Sequence, residues 1–165
     1  MDAFKSMAAY AHEQLVLCHE PSCGYFGIIA IHDTTLGPAL GRDAVLAVRL
    51  DRRCDHRRAA AGARDEPTSR RSPGSTWAAG KSVIVGDNKR KDREALFRAH
   101  GRFVETLKGR YITAEDVGTS PADMEFVRME TESVAGLHGL SRRSVAGHRL
   151  RRLRRNEGQR QAPLG

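Results

Sequence analysis

No stretch of the 165-residue chain is apolar for long enough to cross a membrane as a helix, which sets a helical membrane protein aside. The amino terminus, M-D-A-F-K-S-M, has neither the basic leader nor the apolar segment of a secretory signal, so a cytoplasmic protein is expected. Cysteine is scarce. Cys18, Cys23 and Cys54 form an odd set without metal-ligand spacing, and they read as buried or idle thiols. His12, His19 and His32 have no second metal-binding residue at a useful spacing, so no metal site is expected. No G-x-G-x-x-G follows a strand, so the chain carries no dinucleotide fingerprint. The segment 74 to 82, G-S-T-W-A-A-G-K-S, comes nearest to a phosphate loop. It puts Ser75 where that loop needs glycine, and the bulk of Trp77 does not suit a phosphate cradle.

Lysine is missing from two long segments. Residues 42 to 79 hold nine Arg, no Lys and five acidic residues; residues 135 to 165 hold eight Arg, no Lys and one acidic residue. These segments account for the formal net charge of +8, while the rest of the chain mixes lysine with arginine. A hydrophobic share of 39% suits one globular domain. That domain is expected over residues 1 to 134. Within it, 42 to 79 is expected to pack poorly, because the periodicity that specifies buried faces is scrambled there. Residues 135 to 165 are expected to form a disordered basic tail. The run R-L-R-R-L-R-R at 149 to 155 would attract nucleic acid by counterion release, but it has no interleaved aromatics and belongs to no recognisable binding module.

Elsewhere the pattern is that of alternating strands and helices. Residues 2 to 10 read as a helix with Phe4, Met7 and Ala8 on one face. Residues 13 to 19, around Leu15 and Leu17, and residues 25 to 32 read as a hairpin with its turn at 21 to 24. Residues 33 to 41 read as a loop and 82 to 85 as a buried strand. Residues 93 to 107 read as a helix whose Leu96, Phe97, His100, Phe103 and Val104 form a core face. Residues 111 to 114 make another strand. Ser120 and Pro121 open a helix to residue 130, with Ala122, Phe126 and Met129 expected inward and Arg128 outward.

Two stretches carry chemistry. The sequence G-R-Y-I-T-A-E-D-V-G-T at 109 to 119 sets a short strand before the adjacent carboxylates of Glu115 and Asp116, and strand ends in open α/β sheets face clefts. The same letters also suit a simple helix cap at Asp116, Thr119 or Ser120. The sequence G-K-S-V-I-V-G-D at 80 to 87 sets Lys81 before an apolar strand, where partial removal from water would suit it to act as a base.

Together with I-A-I-H-D-T-T-L-G-P-A-L-G at 29 to 41, these stretches resemble the amino-terminal domain of the Glu/Leu/Phe/Val dehydrogenase family, its leucine-oxidising branch above all, over residues 4 to 41 and 80 to 134. The resemblance implies an α/β fold with a mixed sheet flanked by helices, subunit contacts within a homo-oligomer, and a following Rossmann domain that this sequence does not contain. It implies NAD as cofactor and oxidative deamination of L-leucine to a 2-oxo acid and ammonium. Lys81 matches the family's catalytic lysine and Asp116 the carboxylate that relays protons with it. Leu40 and Ala114 match apolar pocket positions, and Gly41 a point of close backbone approach to the amino acid. The loop at 33 to 41 is implied to line the pocket. The lysine that anchors the substrate carboxylate in the family has no match: P-T-S-R puts Ser69 there.

The arginine-only segments share one explanation. Codons can be assigned to residues 46 to 57 that, read one nucleotide later, give W-P-Y-D-S-T-D-G-A-T-I, which resembles what the family carries after the pocket loop. Residues 75 to 79 read one nucleotide earlier give L-D-L-G-G, and residues 147 to 158 read one nucleotide later give V-T-A-Y-G-V-Y-G-G-M-K, both similar to family sequence. Single-nucleotide insertions near residues 42, 80 and 135, with another in the sixties, link the three. Without a cofactor domain and the anchoring lysine, the chain as written is expected to be inactive. A non-catalytic oligomerisation module and a basic nucleic-acid binder stand as the alternatives.

Overall fold

A computed structural model of the chain describes residues 3–35, 37–46 and 78–137. In chain order the elements are α1 (Ala3–Tyr10), β1 (Gln14–Glu20), β2 (Tyr25–Ile31), β3 (Ala39–Leu46), β4 (Ala78–Val85), α2 (Arg93–Thr106), β5 (Tyr111–Glu115) and α3 (Pro121–Arg128). The five strands form one mixed sheet in the order β1-β2-β4-β3-β5. β1 pairs antiparallel with β2, and β2 with β4; β3 runs parallel to both β4 and β5. The mixed α/β fold expected from the sequence is the fold observed.

Side chains alternate between the two faces of a sheet. One face packs on α2 and α3, where Tyr25, Ile29, Ile31, Val45, Ile84 and Tyr111 meet Leu96, Phe97, Val104, Met124 and Val127 in the main core. The other face carries two smaller apolar clusters, Ile28, Ala30 and Val83 in the middle and Leu40 with Ile112 and Ala135 at one side. The middle strands are thus covered on both faces, which is why Y-F-G-I-I-A-I and S-V-I-V read as nearly unbroken apolar runs.

Several details depart from the sequence pattern, each for a local reason. Residues 39–41, expected in a loop, begin β3, because the Ala39 backbone N–H donates to Arg110 and the Ala78 N–H to Pro38, which draws both strand starts together. Residues 42–46 and 78–79, expected in a poorly packed segment, are strand residues in which Asp43, Ala44, Val45, Ala78 and Ala79 are buried. The remainder of that segment, residues 47–77, lies outside the described residues. Residues 135–137, expected in the tail, belong to the fold: Ala135 donates its backbone N–H to Thr113 at 2.8 Å, and Ala135 and Leu137 are both buried. Residues beyond 137 lie outside the described part.

On β1 it is Val16 and Cys18 that face the main core, while Leu17 is exposed. Phe4 and Ala8 of α1 are exposed as well. On α3 the buried residues are Asp123, Met124 and Val127, and Met129 is exposed. The helix is turned this way because Asp123 completes a capping box with Ser120 and also receives the Arg93 guanidinium, which pins that side of its first turn against α2. Arg128 faces out, as its helical phase requires.

Candidate functional site

The site is built on β3, β4 and β5. In the sheet register Gly41 pairs with Gly80 and Thr113, and Arg42 with Lys81 and Ala114. Paired residues on adjacent strands project to the same face. Leu40, Arg42, Lys81, Ile112 and Ala114 therefore share the face turned away from α2 and α3. Asp116, just past the end of β5, joins them: Lys81 Nζ donates a hydrogen bond to Asp116 Oδ2, across 35 residues of sequence. The two side chains keep 12% and 18% of their surface exposed, enough for a ligand or water to reach the pair.

The loop that carries Asp116 is fixed from several directions. The Asp116 backbone N–H donates to Thr119 Oγ1 at 2.7 Å, and the Thr119 hydroxyl donates back to the Asp116 carbonyl at 2.8 Å. Val45 at the end of β3 donates its N–H to the Val117 carbonyl at 3.0 Å. Gly118 has φ +78° and lies against the Val45 backbone, so a side chain there would meet both a strained backbone and a filled space. Arg93, at the start of α2, reaches the Gly118 carbonyl at 2.8 Å and grips Asp123 with two hydrogen bonds of 2.7 and 2.8 Å. A bidentate Arg–carboxylate pair is geometrically specific. The same guanidinium thus joins both helix starts to the Asp116 loop.

Electrostatics follow from that packing. Burial acts to raise the Asp116 carboxyl, but the hydrogen bond from Lys81, the Val117 backbone N–H and the charges of Lys81 and Arg42 outweigh it and hold Asp116 below the usual carboxylate range. Asp123 behaves alike: burial pushes up, and the Arg93 and Ser120 hydrogen bonds bring it below the usual range. Glu115, the other acidic candidate, is exposed and, as the register partner of Asp43, projects to the opposite face.

Leu40 is buried with Ile112 and Ala135, and Ala114 packs half-buried against them, so the floor next to the Lys81–Asp116 pair is apolar. Gly41 serves the opposite face. A Cβ there would run into the Tyr111 ring and the Gly80 backbone, and one at Gly80 would meet the same ring. The requirement for glycine at 41 therefore comes from Tyr111 beneath the sheet. Ser69 lies outside the described residues.

Beneath the site is a second polar cluster that the sequence did not point to. Asp43 is fully buried on the helix-side face and accepts hydrogen bonds from the Ser82, Tyr111 and Thr113 hydroxyls. His100 Nε2 stands 3.2 Å from Asp43 Oδ2, and its Nδ1 is 2.7 Å from the Tyr25 hydroxyl. Burial, together with Cys18, Asp43 and Cys23 nearby, pushes the Tyr25 hydroxyl well above its ordinary range. The signal for this cluster was a lone aspartate inside L-G-R-D-A-V-L, which is a strand once read by alternation. Arg42 was missed for the same reason.

Outside these clusters, His12, His19, His32 and Cys18 pack within the fold. His12 and His32 meet edge to face at 5.4 Å and His19 stacks on Phe26 at 4.0 Å. Cys18 sits in the core, where burial pushes its thiol up to about 11. Among the described residues no three metal-ligating side chains stand together, and no helix is long and apolar enough to cross a membrane.

The start of α2 does not suit a pyrophosphate. α2, which follows β4, opens at Asp92 and Glu94, whose carboxylates would repel a pyrophosphate at that helix start.

Comparison with known proteins agrees with the fold. Residues 12–133 match the family described as Glu/Leu/Phe/Val dehydrogenase, dimerisation domain. The chain is 43% identical over 148 residues to a leucine dehydrogenase of Geobacillus stearothermophilus, covering 83% of this chain and 37% of that protein. It is 38% identical over 145 residues to a phenylalanine dehydrogenase of Thermoactinomyces intermedius, with 82% and 37% covered. Among solved structures it resembles an L-tryptophan dehydrogenase from Nostoc punctiforme, with a TM-score of 0.73 and 35% identity over 79% of this chain and 39% of that one. A hetero-hexameric glutamate dehydrogenase from Thermus thermophilus shares the fold at a TM-score of 0.59 and 17% identity, over 83% and 39% of the two chains. The chain spans little more than a third of the length of these relatives. The family match over residues 12–133 and relatives named as amino-acid dehydrogenases lead to one assignment: the chain belongs to the Glu/Leu/Phe/Val dehydrogenase family, and residues 12–133 are its dimerisation domain.

Proposed function

We propose that the chain is the substrate-side part of an NAD-dependent amino-acid dehydrogenase for aliphatic amino acids, with Lys81 and Asp116 as its proton-transfer pair. The observation that carries this reading is the Lys81–Asp116 hydrogen bond, partly exposed on the face turned away from α2 and α3, beside the apolar floor of Leu40 and Ala114. NAD is held, on this reading, by a part of the whole protein other than the described residues. The family's dimerisation domain supports a homo-oligomer.

The chemistry asked of the pair is movement of protons around an imino acid and its water. A lysine amine hydrogen-bonded to a carboxylate takes a proton from water attacking the imino carbon, and the carboxylate receives or returns it. The two groups titrate as a unit because each biases the other. Asp116, held below the usual carboxylate range, stays an acceptor at neutral pH. Neither Leu40 nor Ala114 can pair with an anionic side chain, so leucine, valine and isoleucine suit the floor and glutamate does not.

The arginine-only segments are, on the same proposal, products of shifted reading frames, as the family-like peptides recovered by single-nucleotide shifts suggest. The experiment joins both claims. The encoding DNA is sequenced, the frame restored, and kcat/KM compared for leucine and glutamate by NADH formation. A leucine preference of at least about a hundredfold is expected, the scale of one unpaired buried polar group. A glutamate preference ends the substrate reading, and shifted frames that are interrupted or unlike the family end the frame reading.

A further inference from the structure

The Lys81–Asp116 pair depends on where the loop after β5 sits, and the hydrogen bonds inside that loop do not decide this. The two between Asp116 and Thr119 set its shape. Its place over the sheet comes from outside: the Val45 backbone N–H on the Val117 carbonyl, and the Arg93 guanidinium on the Gly118 carbonyl, two residues beyond Asp116. Of these two ties, the one to Arg93 is made by a side chain.

Arg93 spans three segments. Nη1 donates to the Asn88 carbonyl at 2.6 Å, in the loop after β4; Nη2 donates to the Gly118 carbonyl at 2.8 Å; Nε and Nη2 donate to Asp123, in the first turn of α3, at 2.7 and 2.8 Å. The guanidinium also lies over the buried Phe97 ring, 5.1 Å from its centroid, and the side chain keeps 23% of its surface exposed. A planar fork already fixed by a carboxylate, a ring and one carbonyl loses little freedom in donating to another, so the donor that meets Gly118 is itself immobile. Gly118, at φ +78°, is the residue of this loop with the widest backbone freedom, and that is where the bond is made.

We infer that Arg93 is the positioning residue of the acid–base pair: its guanidinium holds the loop at Gly118 and thereby keeps Asp116 within reach of Lys81. The inference rests on the proposed function and adds to it a residue of α2 that touches neither member of the pair.

The test uses the full 165-residue chain. The Asp116 carboxyl is titrated by carbon-13 NMR, assigned by its loss in Asp116→Asn, and hydrogen exchange of the Asp116 and Thr119 amides is followed in the same samples, with circular dichroism to verify folding. In the unaltered chain the Asp116 midpoint should lie below the usual carboxylate range. Arg93→Gln should raise it toward that range and speed exchange of both amides by about ten- to a hundredfold, the scale of one charge-assisted hydrogen bond. Arg93→Lys, which keeps the charge and loses the fork, should also raise the midpoint, to a smaller degree. Arg98→Gln removes a 2.7 Å bond from α2 to Glu130 and should lower stability without moving the Asp116 midpoint. A midpoint unmoved in folded Arg93→Gln overturns the inference and leaves the proposed pair standing. An equal rise in Arg98→Gln overturns it, because any loosening of α2 would then suffice, and a parental midpoint in Arg93→Lys overturns it, because charge alone would then suffice. If Arg93→Gln does not fold, Arg93→Lys is judged by the same readings. In the unaltered chain the Arg93 guanidinium protons should exchange at least about tenfold more slowly than those of exposed arginines, and equal rates overturn the inference without any substitution. An Asp116 midpoint within the usual range in the unaltered chain overturns the inference together with the pair on which the proposed function rests.

Discussion

The two faces of the β3–β4–β5 sheet each carry an aspartate among polar partners, and they differ in what surrounds them. Asp43, on the helix side, is sealed from solvent and surrounded by Ser82, Tyr111, Thr113 and His100. Asp116, on the other side, is paired with Lys81 and has part of its surface open. A buried group with all its partners in place has nothing left to offer a ligand, and removing any partner exposes the others to the cost of an unmade hydrogen bond. A half-open ion pair gains little stability and keeps its reactivity. The strands put the two clusters back to back, and Gly41 and Gly80 are small because Tyr111 must pass beneath them to reach Asp43.

This contrast can be broken first on the sealed side. Asp43→Ala removes the acceptor of three hydroxyls and the partner of His100, all buried, and should cost about 3–5 kcal/mol of stability. Urea unfolding followed by circular dichroism measures it, and a loss below about 1 kcal/mol would mean that the cluster is not a structural unit. Gly41→Ala should follow at about 1–3 kcal/mol, the range for overfilling a packed site, because the new methyl group displaces the Tyr111 ring. If Tyr111→Phe does not reduce that penalty, the hydroxyl is not what fixes the ring.

On the open side the expected effect on stability is smaller and depends on pH. Because the folded Asp116 carboxyl lies below the usual carboxylate range, its contribution is complete above a pH of about 4 and is lost as pH falls through the lower folded value. Asp116→Asn should therefore cost about 1 kcal/mol near neutrality and remove that part of the acid-side pH dependence. Unfolding midpoints measured from neutral to acidic pH give the comparison. An Asp116→Asn curve parallel to the parent's down to low pH would show that the carboxylate is not held by its partners.

Much of this was legible in the letters, and what was not has a physical cause. Asp116 could be placed just past a strand end because R-Y-I-T-A-E-D is an apolar run bounded by charge, whereas Lys81, expected just before a strand, lies within β4 (Ala78–Val85). Ser120 and Pro121 declared the start of α3. Asp43 and Arg42 were hidden because an arginine-rich composition masked a strand that only alternation reveals, with Arg42 outward and Asp43 inward. The inward face of α3 was misjudged in part: Phe126 does pack on the core, but apolar spacing also favoured Ala122 and Met129, which are exposed. The Arg93–Asp123 pair, which depends on a residue 30 positions away, set the rotation. Long-range polar contacts of that kind leave no local pattern to read.

The central claim is that the Lys81–Asp116 pair serves chemistry while the Asp43 cluster serves the fold. The measurement that tests it most directly is NADH formation from leucine by the frame-restored protein with and without Lys81→Met, paired with the unfolding free energy of both. The account predicts a fall in kcat of about a hundredfold or more, the range of a lost general base, with stability changed by no more than about 1 kcal/mol. Turnover retained in Lys81→Met, with its stability intact, would contradict it.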